Sequence, residues 1–207
     1  SLDPLTTYSS DDYFGLLDWG QGKWDESTSG DEVLQIGIGR IPAINFTELN
    51  TWIDKLIAYE NLGQESLPSN VLTFLADDGD NSIHMRDAEV HSEYLNSNYP
   101  FFRSEKLFLD RFEQIRTGTR QTSQETSRVL EKTLERGALL VNYIGHGNET
   151  TLTAEEIFKV PDLENWSTQN QLALWVTATC EFGRHDSPFV RSAAEELLFA
   201  KGKGAMG

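Results

Sequence analysis

Two stretches decide the fold: Ala138-Leu-Leu-Val-Asn-Tyr-Ile-Gly-His-Gly147 and Leu172-Ala-Leu-Trp-Val-Thr-Ala-Thr-Cys180. Each is an apolar run of strand length that ends in a single reactive side chain, His146 or Cys180. Runs this apolar, bounded by turn residues, read as strands buried on both faces. In an open α/β sheet the carboxyl ends of parallel strands share one edge, and ligands bind in the crevice outside it. The two side chains are therefore expected to meet at that edge although far apart in sequence.

Working outward, strands alternate with helices. Val71-Leu-Thr-Phe-Leu-Ala76 reads as a third buried strand, followed by an acidic loop, Asp77-Asp-Gly-Asp-Asn81. Lys106–Asp110 reads as a short strand. Val33–Gly39 has strand composition too, and Pro42 follows it. Asn45 and Glu48 have capping-box spacing ahead of Leu49, Trp52, Ile53, Leu56 and Ile57, so residues 46–61 are expected to be an amphipathic helix stopped at Gly63. Further helices are expected over 83–96, from Thr122 and Glu125 to about Arg136, and over 189–200, with another capped start at Thr153 and Glu156. Trp52, Trp166 and Trp175 read as packing residues. The alternation predicts an α/β fold with a mostly parallel sheet covered on both faces.

Residues 1–32 differ, with eight acidic residues, one lysine and scattered aromatics including Tyr8, Tyr13, Phe14, Trp19 and Trp24. They read as an acidic lead-in from a preceding subdomain, irregular apart from a short strand near Tyr13–Leu17. Residues 33–207 read as one domain, cut at its C-terminal end where the next strand would begin. The chain is thus expected to be a fragment of a longer protein.

Composition narrows function. Thirty-three acidic residues against 17 basic ones give a net charge of −16, which argues against a nucleic-acid surface. No apolar run reaches the roughly 20 residues that span a bilayer as a helix. One cysteine excludes an intrachain disulfide and any multi-cysteine metal site.

A thiol is nucleophilic as thiolate, a form favoured by a neighbouring imidazole or helix N-terminus. Cys180 and His146 have the residue types and placement for such a pair. The backbone N–H groups of Gly147 and Cys180 are candidate oxyanion donors. In the acidic loop, the carboxylates serve a turn, a catalytic role or a Ca²⁺ ion equally well by residue type. Zinc held by Cys180, His185 and His146 is disfavoured, because the spacing matches no common closed site. His84 and His91, seven apart on the expected helix, read as surface or half-buried. Glu149 and Glu181 could rim a cationic subsite.

These motifs carry a resemblance. Asn142-Tyr-Ile-Gly-His-Gly-Asn148-Glu149 resembles the histidine motif of gingipain-type cysteine peptidases. Val176-Thr-Ala-Thr-Cys180-Glu-Phe-Gly-Arg-His-Asp186 resembles the nucleophile motif of one branch, the sortases of the bacterial type IX secretion system. Ile36-Gly-Ile-Gly-Arg40-Ile-Pro42 and the Trp52–Glu60 helix also look like this family's lead-in. Thr179 departs from the Ala often found before the nucleophile. The resemblance implies a caspase-like three-layer α/β/α sandwich, with Cys180 as nucleophile and His146 as general acid/base. It also implies an acidic residue assisting the histidine, assigned to Asp78 with Asp77 as the alternative. It implies a polypeptide substrate, namely cargo C-terminal signal domains, with other secretion-system surface proteins as partners. Cleavage or transfer to a lipopolysaccharide acceptor would occur at the outer face of the outer membrane, or the enzyme would be secreted. No cofactor is required on this reading, and a structural calcium is compatible with it.

Overall fold

The computed structural model describes residues 10–22, 33–62, 70–167 and 171–207. The chain forms two compact units, Ser1–Pro42 and Ala43–Gly207. In the first, Asp12–Gly15 is a single 3-10 turn rather than a strand. Val33–Gly39 is irregular despite its composition: Val33, Ile36 and Ile38 are exposed and no second strand pairs with them among the described residues. A lone extended segment leaves its ladder groups unpaired, so apolar alternation by itself does not make a strand. Gln35 instead ties this segment to the turn, with its N–H donating to Gly15 O and its side chain accepting from the Leu17 N–H. The lead-in therefore extends as a compact unit to Pro42, ten residues beyond the boundary expected at 32.

The second unit is built on a four-stranded sheet whose strands lie in the order Arg103–Phe108, Val71–Ala76, Leu140–Ile144, Leu174–Ala178. Its strands are β1 (Val71–Ala76), β2 (Arg103–Phe108), β5 (Leu140–Ile144) and β8 (Leu174–Ala178), and every pairing is parallel. Two short antiparallel hairpins, β3 (Ile115–Thr117) with β4 (Arg120–Thr122) and β6 (Thr151–Leu152) with β7 (Phe158–Lys159), decorate the connections. The helices are α1 (Phe46–Glu60), α2 (Gly79–Asn98), α3 (Gln124–Glu135) and α4 (Ala193–Phe199).

Side-chain alternation assigns the two faces. Phe74 and Ala76 of β1 pack with Met85, Ala88 and Leu95 of α2 on one side. Leu75, Val141 and Tyr143 pack on the other with Leu130 and Leu134 of α3 and Leu197 of α4. Phe158, Trp166, Trp175 and Phe182 continue that second core, with Trp166 and Trp175 stacked at 6.4 Å. This is the expected α/β/α sandwich.

Local starts and stops follow side-chain chemistry. Asn45 accepts from the Glu48 N–H, and Glu48 reaches back to the Ile44 N–H, fixing the start of α1. Its end lies at Asn61, while the stop expected at Gly63 lies outside the described residues, as do Tyr8 and Trp24. α3 begins after Ser123, so Thr122 and Glu125 do not form its cap. Thr153 and Glu156 both have positive φ and cap no helix. The capping box lies at Ser192 and Glu195, which makes α4 shorter than expected. Ala205–Gly207 returns alongside β8: Met206 N–H donates to Ala173 O and Trp175 N–H to Gly207 O. No helix among the described residues is long and apolar enough to cross a membrane.

Candidate active site

The strand register aligns the two motifs. Ile144 pairs with Ala178 across β5 and β8, so His146 and Cys180, each two residues further on, lie at the same level of adjacent strands. The Gly145 N–H donates to Ala178 O and carries the ladder one step past the strand ends. On the other side Ala76 pairs with Ile144, which brings the Asp77–Asp80 loop to the same edge. The loops therefore lie in the order acidic, histidine, cysteine. A Cβ on Gly147 would come within 2.6 Å of Thr179 Oγ1. Only glycine lets the histidine loop approach the residue before Cys180 this closely.

His146 is held mainly by its backbone. Asp77, buried, accepts the His146 N–H on Oδ2 and the Gly79 N–H on Oδ1. His146 O accepts from the Thr153 N–H and from the buried Tyr143 hydroxyl. Burial, and then the nearby Asp77 and Glu155 carboxylates, push the Tyr143 phenol up from its ordinary value, so it stays a donor at any ordinary pH. The turn Gly147–Leu152 closes through bonds from Asn148 N–H to Thr151 O and from Thr153 N–H to His146 O. That pattern does not use the Gly147 N–H.

The imidazole contacts a carboxylate other than the one expected. His146 Nε2 lies 2.9 Å from Asp80 Oδ2. Asp78 Oδ2 instead accepts from Gln114 Nε2 at 2.7 Å. The reason is local backbone: Asp80, Asn81 and Ser82 all have positive φ, and this left-handed turn swings Asp80 over the ring. Asp and Asn tolerate such conformations better than most residues. His84, expected to be surface or half-buried, joins the site: its ring meets that of His146 edge-on at 5.1 Å, and its Nε2 is 3.5 Å from Asp80 Oδ2. The available sequence signal was the four-residue spacing of Asp80 and His84, although the left-handed turn over residues 80–82 means that the two do not meet as an α-helical i, i+4 pair.

Cys180 is exposed at the edge of the sheet. It follows Leu174, Val176 and Ala178 in alternation, the face of β8 that is open in this chain, while Trp175 packs inward. The helix expected near Pro188 starts only at Ala193, so Cys180 does not sit at a helix N-terminus. Its turn is anchored by Phe182, 1% exposed in the core, whose carbonyl accepts from the Ala194 N–H. Glu181 takes positive φ there.

The acidic rim is already paired. Arg184 lies 3.6 Å from Glu149, 3.3 Å from Glu181 and 3.2 Å from Asp186. Three carboxylates share one guanidinium, and the rim keeps an excess of negative charge.

Two groups of described residues bring potential metal-ligand atoms within 4.8 Å of one another: Asp80, His84 and His146, and Asp77, Asp78 and Glu155. Cys180 and His185 belong to neither.

The profile of Peptidase family C25 matches residues 3–207. The crystal structure of the Arg-specific cysteine proteinase gingipain R (RgpB) superposes with TM-score 0.70 at 21% identity, covering 96% of this chain and 43% of that one. The complex of Porphyromonas gingivalis RgpB pro- and mature domains gives TM-score 0.58 at 20% identity, over 79% of this chain and 38% of that one. A third structure, described as a protease, gives TM-score 0.68 at 18% identity, over 96% and 39%. This chain thus spans less than half the length of the solved chains it matches. No curated protein matches its sequence.

Proposed function

The chain belongs to peptidase family C25, and from that premise we propose that it performs cysteine-dependent acyl transfer on polypeptides, with Cys180 as nucleophile and His146 as general acid/base. The observation that carries this reading is the common level of the two residues on adjacent parallel strands. With Nε2 committed to Asp80, Nδ1 is the ring nitrogen left to exchange a proton with the thiol. Cys180 Sγ attacks a backbone carbonyl carbon, and His146 takes the thiol proton. The Gly147 and Cys180 N–H groups receive the oxyanion. The C–N bond then breaks, His146 returns the proton to the leaving amine, and a thioester remains. Water converts it to a carboxylate, whereas an amine takes up the acyl group in a new amide.

Within that chemistry the favoured role is a type IX secretion sortase of the PorU kind. It would remove C-terminal signal domains from cargo at the outer face of the outer membrane and pass cargo to a lipopolysaccharide acceptor. The Cys180-Glu-Phe-Gly-Arg184 run supports this choice. Other surface proteins of the secretion machinery would be its partners. The likeness to gingipain R favours a second reading, a secreted endopeptidase, and the acidic rim of Glu149, Glu181 and Asp186 suits a basic side chain beside the cleaved bond.

One pair of measurements tests these readings. In the full-length protein, Cys180→Ala is expected to leave cargo carrying its C-terminal domain, and a peptide-directed electrophile is expected to label Cys180 faster than a free thiol at the same pH. Intact cargo processing rules out the sortase role. Labelling no faster than the free thiol, and unchanged by His146→Ala, leaves only a catalytically silent binding module.

A further inference from the structure

Two imidazoles converge on one carboxylate oxygen. His146 Nε2 lies 2.9 Å from Asp80 Oδ2, and His84 Nε2 lies 3.5 Å from the same atom. The three groups differ in how firmly they are held. The side chains of Asp80 and His146 are 59% and 55% exposed, whereas that of His84 is 19% exposed. Asp80 stands first in the left-handed turn of residues 80–82. His84 lies past that turn in α2, next to Met85, which shares the core with Phe74 and Ala76 of β1. His84 Nε2 is buried and has no hydrogen-bond partner among the described residues. A buried ring nitrogen left without a partner is costly, and Asp80 is the acceptor beside it.

We propose that His84 is a positioning residue for the acyl transfer: its Nε2–H holds the Asp80 carboxylate, and Asp80 in turn holds the ring of His146. The proposal rests on His146 being the general acid/base. An exposed ion pair gives little orientation by itself, because water screens it and both side chains stay free to turn. A third group, set on a regular helix, removes that freedom from Asp80. A bare nitrogen would point its lone pair at the carboxylate, so the His84 nitrogen that faces Asp80 carries a hydrogen. At 3.5 Å the bond is long, and such bonds in unliganded active sites often tighten when substrate binds. The two rings also meet edge-on, with centroids 5.1 Å apart, and a Cβ at Gly79 would come within 3.4 Å of His146 Cδ2. His146 is thus bounded by His84, Asp80 and the backbone at Gly79, and Nδ1 is the ring nitrogen left for the thiol proton.

The test compares His84→Phe, which keeps a ring of similar size but cannot donate, with His84→Gln, whose amide restores an N–H near the position of Nε2. Both are made in the full-length protein and verified as folded by circular dichroism. His84→Phe is expected to lower kcat about fivefold with KM within about twofold, and His84→Gln to recover most of that loss. With Asp80→Ala already in place, His84→Phe is expected to cost less than about twofold, since its effect runs through the carboxylate. Carbon-13 relaxation of the His146 ring supplies a readout that needs no turnover. Ring order is expected to fall in His84→Phe and in Asp80→Ala and to persist in His84→Gln. A parent that cleaves no peptide, yet shows this pattern of ring order, defeats the peptidase reading and leaves the hold of His84 on Asp80 standing. Unchanged kcat and ring order in His84→Phe, equal losses in the two His84 variants, or the same cost of His84→Phe with and without Asp80, overturns the proposal.

Discussion

The loops that carry His146 and Cys180 are held in opposite ways. The histidine loop lies between two strand partners, β1 and β8, and its backbone meets a buried carboxylate, a buried phenol and a hairpin N–H. The cysteine loop leaves an outer strand whose far side, among the described residues, is bonded to Ala205–Gly207, and the buried anchor of the loop is Phe182. His146 is thus set in a frame of buried hydrogen bonds, while Cys180 is exposed and supported from one side. On the proposed chemistry, such an arrangement would fix the direction of proton transfer and leave the attacking atom open to a polypeptide chain.

The largest effect separates chemistry from support. Cys180→Ala is expected to lower kcat/KM by about 10⁴ or more in a peptide-cleavage assay, with a stability change within about 0.5 kcal/mol because the side chain is exposed. A large loss of Tm in Cys180→Ala would break the contrast. Asp77→Asn is expected to do the reverse on the framed side. An amide presents N–H₂ toward one of the two N–H donors that Asp77 now accepts, and the cost is about 3 kcal/mol in denaturant unfolding. A cost under about 1 kcal/mol would show that the histidine loop is no better held than the cysteine loop.

The sequence foretold the frame better than the contacts. β1, β5 and β8 are apolar runs that a sheet flanked by helices buries, and they lie within the predicted spans. The β3–β4 and β6–β7 hairpins were invisible, since two or three mostly polar residues carry no readable period. Val33–Gly39 showed the period but found no partner strand among the described residues. At the site, His146 and Cys180 stood out because each ends a strand, where direction follows from topology. Asp80 did not, because three successive left-handed residues decide which carboxylate of Asp77-Asp-Gly-Asp80 reaches the ring. Glu155 was hidden for a related reason. It is buried by tertiary packing near Asp77 and Asp78, whereas Thr153-Ala-Glu-Glu156 reads locally as a helix start.

Within the frame, Asp80→Asn and Asp78→Asn discriminate between the two acidic residues. Asp80→Asn is expected to lower kcat about tenfold, the effect being limited because both partners are more than half exposed. Asp78→Asn, which meets Gln114 and not the ring, is expected to cost less in kcat than Asp80→Asn. A larger kcat loss in Asp78→Asn than in Asp80→Asn would return the orienting role to Asp78.

The last comparison probes the outer support of the cysteine strand. Lys55 of α1, buried against the end of α4, donates to Leu197 O and Leu198 O, and Leu197 O also accepts from the Ala205 N–H that begins the segment beside β8. Burial pulls the ammonium down from 10.5 to about 7. The two carbonyls oppose that shift by favouring the charged form. A lysine with a depressed folded-state pKa is bound to fewer protons in the native than in the unfolded chain between those two values. Stability attributable to Lys55 therefore rises with pH across that window. The measurable quantity is the unfolding free energy of the parent minus that of Lys55→Met, expected to grow steadily from about pH 7 to about pH 10. If Lys55 only donates hydrogen bonds in its charged form, the difference shrinks instead as the ammonium deprotonates, and the strand beside Cys180 loses support at high pH.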